Sequence, residues 1–182
     1  IPMIDRTGPH RPFTVQFSLH ILDEDGNLVH NEYLERDARL PDRLLDALQG
    51  LIGHVGSVVV WHATFERLRN RDMAEMYEEH ADFLNKVNER MVDLETPFKT
   101  GYVDARFDGS SSIKKVLPVV CPRLNYDGLE VQDGTAAMDA WKRMIEAEPE
   151  EADRIAEDLL EYCKLDTFAM VEIYQFLRGL LG

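Results

Sequence analysis

Asp166 is the residue that most needs a chemical reason. Leu159, Cys163, Asp166, Met170, Ile173 and Leu177 follow one another at alternating steps of four and three, the spacing of one helix face. The adjoining seam, Tyr162, Asp166, Ala169, Ile173, Phe176 and Leu180, also runs through it. A carboxylate on an apolar face costs several kcal/mol unless it is paired or bound to a metal ion. No Lys or Arg shares the stripe within a turn: Lys164 points elsewhere, and Arg154 and Arg178 are each twelve residues away. The stripe leaves three readings open: a base from another segment pairs with Asp166, the acid caps a second helix together with Thr167, or it faces a cation.

Other residues could share that chemistry. Tyr162 precedes Asp166 by four residues and lies on the same face, where a tyrosine is also an ordinary core residue with its hydroxyl at the rim. Glu66, in "HATFERL", follows an apolar strand. The residues just past such a strand point into the cleft where α/β proteins bind ligands, although a first-turn helical Glu is often simply exposed. His62 lies on the same connection, as a structural histidine or a contact. Asp93, in "MVDLETPF", is a possible accessory acid at another strand. "DGSSSIKKVLPVV" brings Ser112 and Lys114 to a helix start, either to contact a phosphate backbone or as a plain serine cap. Phosphate-binding glycine loops, HExxH and GxSxG are absent, and the two cysteines with scattered histidines make no zinc pattern.

The elements that must position these groups read as follows. "FTVQFSLHILDEDGNLVHNEYLE" is a β-hairpin: Val15, Phe17, Leu19 and Ile21 alternate with polar residues, and Asp25-Gly26 supplies the turn. Residues 1–12, with three prolines, are loop. "PDRLLDALQGLIG" is a short amphipathic helix, with Pro41 near its start. The unbroken valines of "SVVVW" predict a strand buried on both faces, central and parallel to a neighbour. The stretch from Thr64 to Met91 is helical, "VDLETPF" is a short strand, and "SSSIKKVLPVV" is a serine-capped helix stopped near Pro118. "CPRLNYDGLEVQDG" is loop with room for a short strand, and helices cover 135–147 and 150–178. The last would span about 43 Å as one helix, so a bend is expected near "CKLDT". The order implies a mixed sheet flanked by helices in an α/β domain.

The bulk numbers fit that picture. The length of 182 residues suits one domain, and 45% hydrophobic residues supply a core. A net charge of −14 argues against unspecific binding of nucleic acid or membrane through a basic surface, yet leaves room for a local site where metal ions supply positive charge. No apolar run reaches the length of about 18 residues that spans a bilayer. With no signal peptide, and cysteines in no CxxC pair, the expected location is the cytoplasm.

Three segments together resemble the DEDD 3′–5′ exonucleases. Tyr162-Cys-Lys-Leu-Asp166 is similar to their YxxxD motif, "VVVWHATFERL" to the strand leading into N-x-x-F-D, and "SSIKKVLPVV" to the S-L-K-x-L segment between. The chain as a whole resembles the bacterial family called domain of unknown function 2779, through Pro12 to His20, Phe65-Glu66, Val92 to Leu94, Gly109 to Pro118 and Tyr162 to Val171. The resemblance implies a ribonuclease-H-like fold over 1–182, with a mixed five-stranded sheet. It implies carboxylates holding two Mg²⁺ or Mn²⁺ ions about 4 Å apart for phosphodiester hydrolysis. In that scheme Asp166 and Glu66 are metal ligands and Tyr162 orients or deprotonates the attacking water. Glu66 stands where the motif has Asp, and His62 where it has Asn. The first motif, a D-x-E on the first strand, is absent, so the chain is expected to be a fragment lacking that strand, or a protein that has lost the motif.

The leading expectation is therefore a metal-dependent 3′–5′ exonuclease acting on a single-stranded end of DNA or RNA. The alternative is a catalytically incomplete ribonuclease-H-like module that binds nucleic acid or a protein. A nucleotide phosphohydrolase is a third possibility.

Overall fold

The structure, a computed structural model, describes residues 14–37 and 42–181. The loop expected over 1–12 and the helix-initiating Pro41 lie outside them. The hairpin forms as expected, from β1 (Gln16–Leu22) and β2 (Leu28–Leu34), paired antiparallel from Gln16↔Leu34 to Leu22↔Leu28. Its turn needs Gly26, at φ +86°, and the Asp23 carboxylate closes it by accepting from the Asn27 backbone and side-chain N–H groups at 2.8 Å each. The polar residues of β1 are half-buried and bonded. The Gln16 amide donates to the Leu159 carbonyl at 2.9 Å, and Ser18 and His20 both meet Thr167.

Helix α1 (Asp42–Ile52) places Leu44 and Leu45 inside, with 1% of each exposed, against Met73, Met76 and Leu84. Strand β3 (Val58–Val60) pairs in parallel with β4 (Met91–Asp93), and α2 (Ala63–Met76) and α3 (Ala81–Glu89) connect them. The parallel pairing is as read from the sequence; the burial is not. Val59 and its partner Val92 are 36% and 48% exposed, so β3 is covered on one face only. Among the described residues the strands form two separate pairs, not the five-stranded sheet that the resemblance implies. What stands is an α/β arrangement of a hairpin and two parallel strands flanked by helices.

The short α4 (Thr96–Thr100) leads to α5 (Ile113–Val120), which includes Pro118 and ends close after it, as the sequence suggests. Val116 and Leu117, both fully buried, anchor this turn in the core, and the Cys121 N–H closes it on the Leu117 carbonyl at 2.8 Å. No strand forms between α5 and α6 (Gly134–Glu146); the segment runs in turns. Asp133 caps α6, accepting from the N–H groups of Thr135 and Ala136 at 2.9 Å each.

Helix α7 (Pro149–Leu180) is continuous over 32 residues, about 48 Å at 1.5 Å per residue. The expected bend at "CKLDT" does not occur. No Pro follows Pro149 in the helix, and β1, β2, α5 and α6 all pack along it, which holds it straight although the Thr167 hydroxyl bonds back to the Cys163 carbonyl at 3.2 Å. Ala156, Leu159, Ala169 and Ile173 of α7 join Val116 and Leu117 of α5 in the main core, each at most 1% exposed. Among the described residues no helix is long and apolar enough to cross a membrane.

Candidate acidic site

Glu66 owes its position to the turn after β3. His62 adopts φ 64°, ψ 61°, a left-handed conformation rare for a residue with a side chain, and α2 begins at once with the buried Ala63. This sets Glu66 in the first helical turn, where the helix dipole favours an acid. Its carboxyl titrates above the ordinary range. Burial is the main cause; Arg69 opposes it, the Asp166 charge adds to it, and His62 opposes it. The Asp166 charge therefore reaches Glu66.

Asp166, midway along α7, is satisfied by hydroxyls. Tyr126, in the turns between α5 and α6, donates to its Oδ1 at 2.5 Å, and Tyr162 bonds to it from one turn earlier. Burial raises the Asp166 carboxyl above its usual value, although Tyr126, the Lys114 charge and Tyr162 all pull it down. The Lys114 ammonium lies 5.8 Å from the centre of the Tyr126 ring. So the base sought from another segment acts as a neighbouring charge while hydroxyls make the bonds. Burial and the Asp166 charge push both tyrosine hydroxyls well above the ordinary tyrosine range. Each is a hydrogen-bond donor at neutral pH and a poor proton acceptor, which counts against a water-deprotonating Tyr162.

A second network lies beside the first. Asp93 points into the backbone: its Oδ1 accepts from the N–H groups of His62 at 3.1 Å and Glu95 at 3.0 Å. It fixes the turn that carries His62. Glu95 is buried and accepts from His62 Nδ1 at 2.9 Å, Lys99 Nζ at 2.5 Å and Ser111 Oγ at 2.6 Å. Burial raises its carboxyl, but these bonds outweigh burial and hold it below the ordinary range. Ser112 occupies the N-cap position of α5, yet its side chain makes no capping bond; the adjacent Ser111 reaches the network instead.

Thus Tyr162, Asp166 and Lys114 come together, while Glu66 is linked to them only by the reach of the Asp166 charge. Asp93 is occupied in the backbone and Ser112 is exposed. Tyr126, Glu95 and Ser111 were missed by reading the sequence. "NYDG" resembles any turn, although an acid directly after a strand, as in "VDLE", is a usable signal. Among the described residues no group of three or more His, Cys, Asp or Glu side chains could hold a metal ion. Glu66 and Asp166 alone do not suffice for two ions.

A family described as a domain of unknown function (DUF2779) matches residues 1–112. The chain belongs to that family. The match takes in His62, Glu66 and the Glu95 network, while Tyr126, Tyr162 and Asp166 lie beyond it. This DUF2779 chain is also similar to two curated proteins. The "Uncharacterized protein MG366 homolog" of Mycoplasma pneumoniae is 30% identical over 139 residues, and the "Uncharacterized protein MG366" of Mycoplasma genitalium is 27% identical over 139. Each alignment covers 69% of this chain but 21% of the relative, so the chain spans about a fifth of their length. No solved structure matches.

Proposed function

We propose that this region is a ribonuclease-H-like module, catalytically incomplete in its described residues, that binds single-stranded nucleic acid beside the Glu66–Asp166 pair. The observation that carries this reading is Phe65. It neighbours Glu66, is 54% exposed, and has the Arg69 guanidinium 5.4 Å from its ring centre. Leu68, 47% exposed, extends the apolar surface. An exposed aromatic supplies a stacking surface of the kind on which single strands are held, and Arg69, itself ion-paired with Asp72 at 2.8 Å, steadies the ring. The hairpin followed by β/α alternation supports the fold assignment. With a chain this acidic, divalent cations are expected to aid the approach of phosphates.

The test is fluorescence anisotropy of a short labelled single strand with Mn²⁺ present. Phe65→Ala is expected to weaken binding about tenfold, the value of one stacked base. Equal affinity in wild type and variant, or no binding by the wild type, overturns the reading.

A second reading has one observation in its favour. Two carboxyls raised chiefly by burial, Glu66 and Asp166, are what a divalent cation would relieve. In that reading Mg²⁺ or Mn²⁺ supplies charge neutralisation for 3′–5′ phosphodiester hydrolysis, with further carboxylates from elsewhere in a longer protein. Mn²⁺-dependent release of mononucleotides by that longer protein, lost in Asp166→Ala, would establish it; equal release in both would exclude it.

A further inference from the structure

The His62–Glu95 pair has a chemistry of its own. A carboxylate only accepts hydrogen bonds, and every side-chain partner of Glu95 is a donor: Ser111 on Oε1, Lys99 and His62 Nδ1 on Oε2. The Nδ1 atom of His62 therefore carries its proton. In the neutral ring this leaves Nε2 with a lone pair, and Nε2 has no protein partner among the described residues. The ring is open to ligand: the His62 side chain is 56% exposed, against 8% for Glu95. The backbone beneath it is fixed by its N–H bond to Asp93, and Glu66 follows one turn later.

We propose that His62 recognises a sugar hydroxyl of the bound strand, with Nε2 accepting the hydroxyl hydrogen and Glu95 acting as the positioning residue. This deepens the single-strand reading and rests on it. While the ring is neutral, phosphate oxygens, which only accept, cannot bond this nitrogen, whereas a hydroxyl donates to it; the comparison of strands is therefore made above the titration of the ring. Two sources carry that group, the 2′-hydroxyls of RNA and the free 3′-hydroxyl of a strand end.

The experiment compares affinities, with Mn²⁺, for three strands of one sequence: RNA, DNA with a free 3′-hydroxyl, and DNA with a 3′-deoxy end. If the end is recognised, the 3′-deoxy strand binds about fivefold more weakly than its parent DNA, the value of one hydrogen bond. If the 2′-hydroxyl is recognised, RNA binds tighter than DNA by about the same factor. In His62→Asn the preference disappears while strand binding persists; asparagine tolerates the left-handed backbone, so this variant keeps the turn. Glu95→Gln, which also disturbs folding, is read by ¹⁵N spectra: the wild-type ring carries its proton on Nδ1, and a hydroxyl-bearing strand shifts Nε2 where a strand lacking it does not. In Glu95→Gln that tautomer preference weakens and the shift shrinks. Strand binding without any hydroxyl preference, a preference retained in His62→Asn, or equal Nε2 shifts would overturn the proposal alone. Absence of binding to all three strands would remove the single-strand reading and this inference with it.

Discussion

Glu95 and Asp166 are both acids withdrawn from water, and they are built in opposite ways. Glu95 has three donors, one of them a lysine, and its carboxyl is held below the ordinary range. Asp166 has two hydroxyls and a lysine charge, with a second acid, Glu66, bearing on the same site, and both carboxyls are raised. The first site is completed by the protein itself. The second is left electrostatically unbalanced, the state in which ligand-binding and catalytic carboxyls are commonly found. Glu95 is an anchor, and the proposed function makes Asp166 the working group.

The largest effect that tests this contrast is on stability. Glu95→Ala strands the donors of His62, Lys99 and Ser111 and is expected to cost about 3 kcal/mol, measured as a lowered urea midpoint. Asp166→Asn should behave in the opposite sense. Its amide oxygen still accepts from Tyr126 while a buried charge disappears, so stability stays level or rises by about 1 kcal/mol. A loss near that of Glu95→Ala would place Asp166 among the anchors and end the comparison.

Titration separates the two sites again. Glu95, with its lowered value, contributes stability that is present above its unfolded value of 4.5 and is lost as pH falls through the folded value. Glu66 and Asp166 run the other way. The folded chain keeps protons that the unfolded chain has released, so stability declines as pH rises from their ordinary values, 4.5 and 3.8, through the raised ones. His20, lowered from 6.5 to about 4 by burial, then by the charges of His30 and Lys164, adds an opposing slope. The unfolded chain binds more protons in that window, so stability rises with pH across it, by on the order of 1 kcal/mol after allowance for solvent screening at a partly exposed ring. Urea midpoints between pH 4 and 6.5 should therefore climb more steeply in Asp166→Asn than in wild type. Parallel curves would show that Asp166 does not titrate as the contrast requires.

The fold was legible wherever local pattern decides it. The alternation of Val15 to Ile21 and the Asp25-Gly26 turn specify the hairpin, and the four–three stripe specifies α7. Legibility failed where tertiary packing overrode a local signal. The unbroken helix through "CKLDT" is such a case, because strands and helices packed along α7 hold it straight. The valine run marked a strand and its parallel pairing, but a run of apolar residues cannot say how many faces are covered, and Val59 is partly exposed. In the site, the misplaced acid in the α7 stripe pointed to Asp166 and its neighbour Tyr162. Tyr126 could not be found that way, since its bond to Asp166 joins residues 40 apart in the chain. Such contacts leave no periodicity.

The smallest test concerns two adjacent serines. A serine at the N-cap position of a helix is ordinarily a capping residue, and its loss typically costs about 1 kcal/mol. Here Ser112 holds that position without a side-chain bond to the helix, while Ser111 donates to buried Glu95 at 2.6 Å. Sequence position alone ranks Ser112 above Ser111; the contrast between anchored and unanchored groups reverses the order. Ser111→Ala should lower stability by about 1.5 kcal/mol, the value of a hydrogen bond to a charged group. Ser112→Ala should change it by no more than about 0.5 kcal/mol, as at an ordinary surface position. Paired thermal melts read the difference directly. If Ser112→Ala costs more, α5 is held by its cap, and the Glu95 network is not the anchor that fixes this end of the helix.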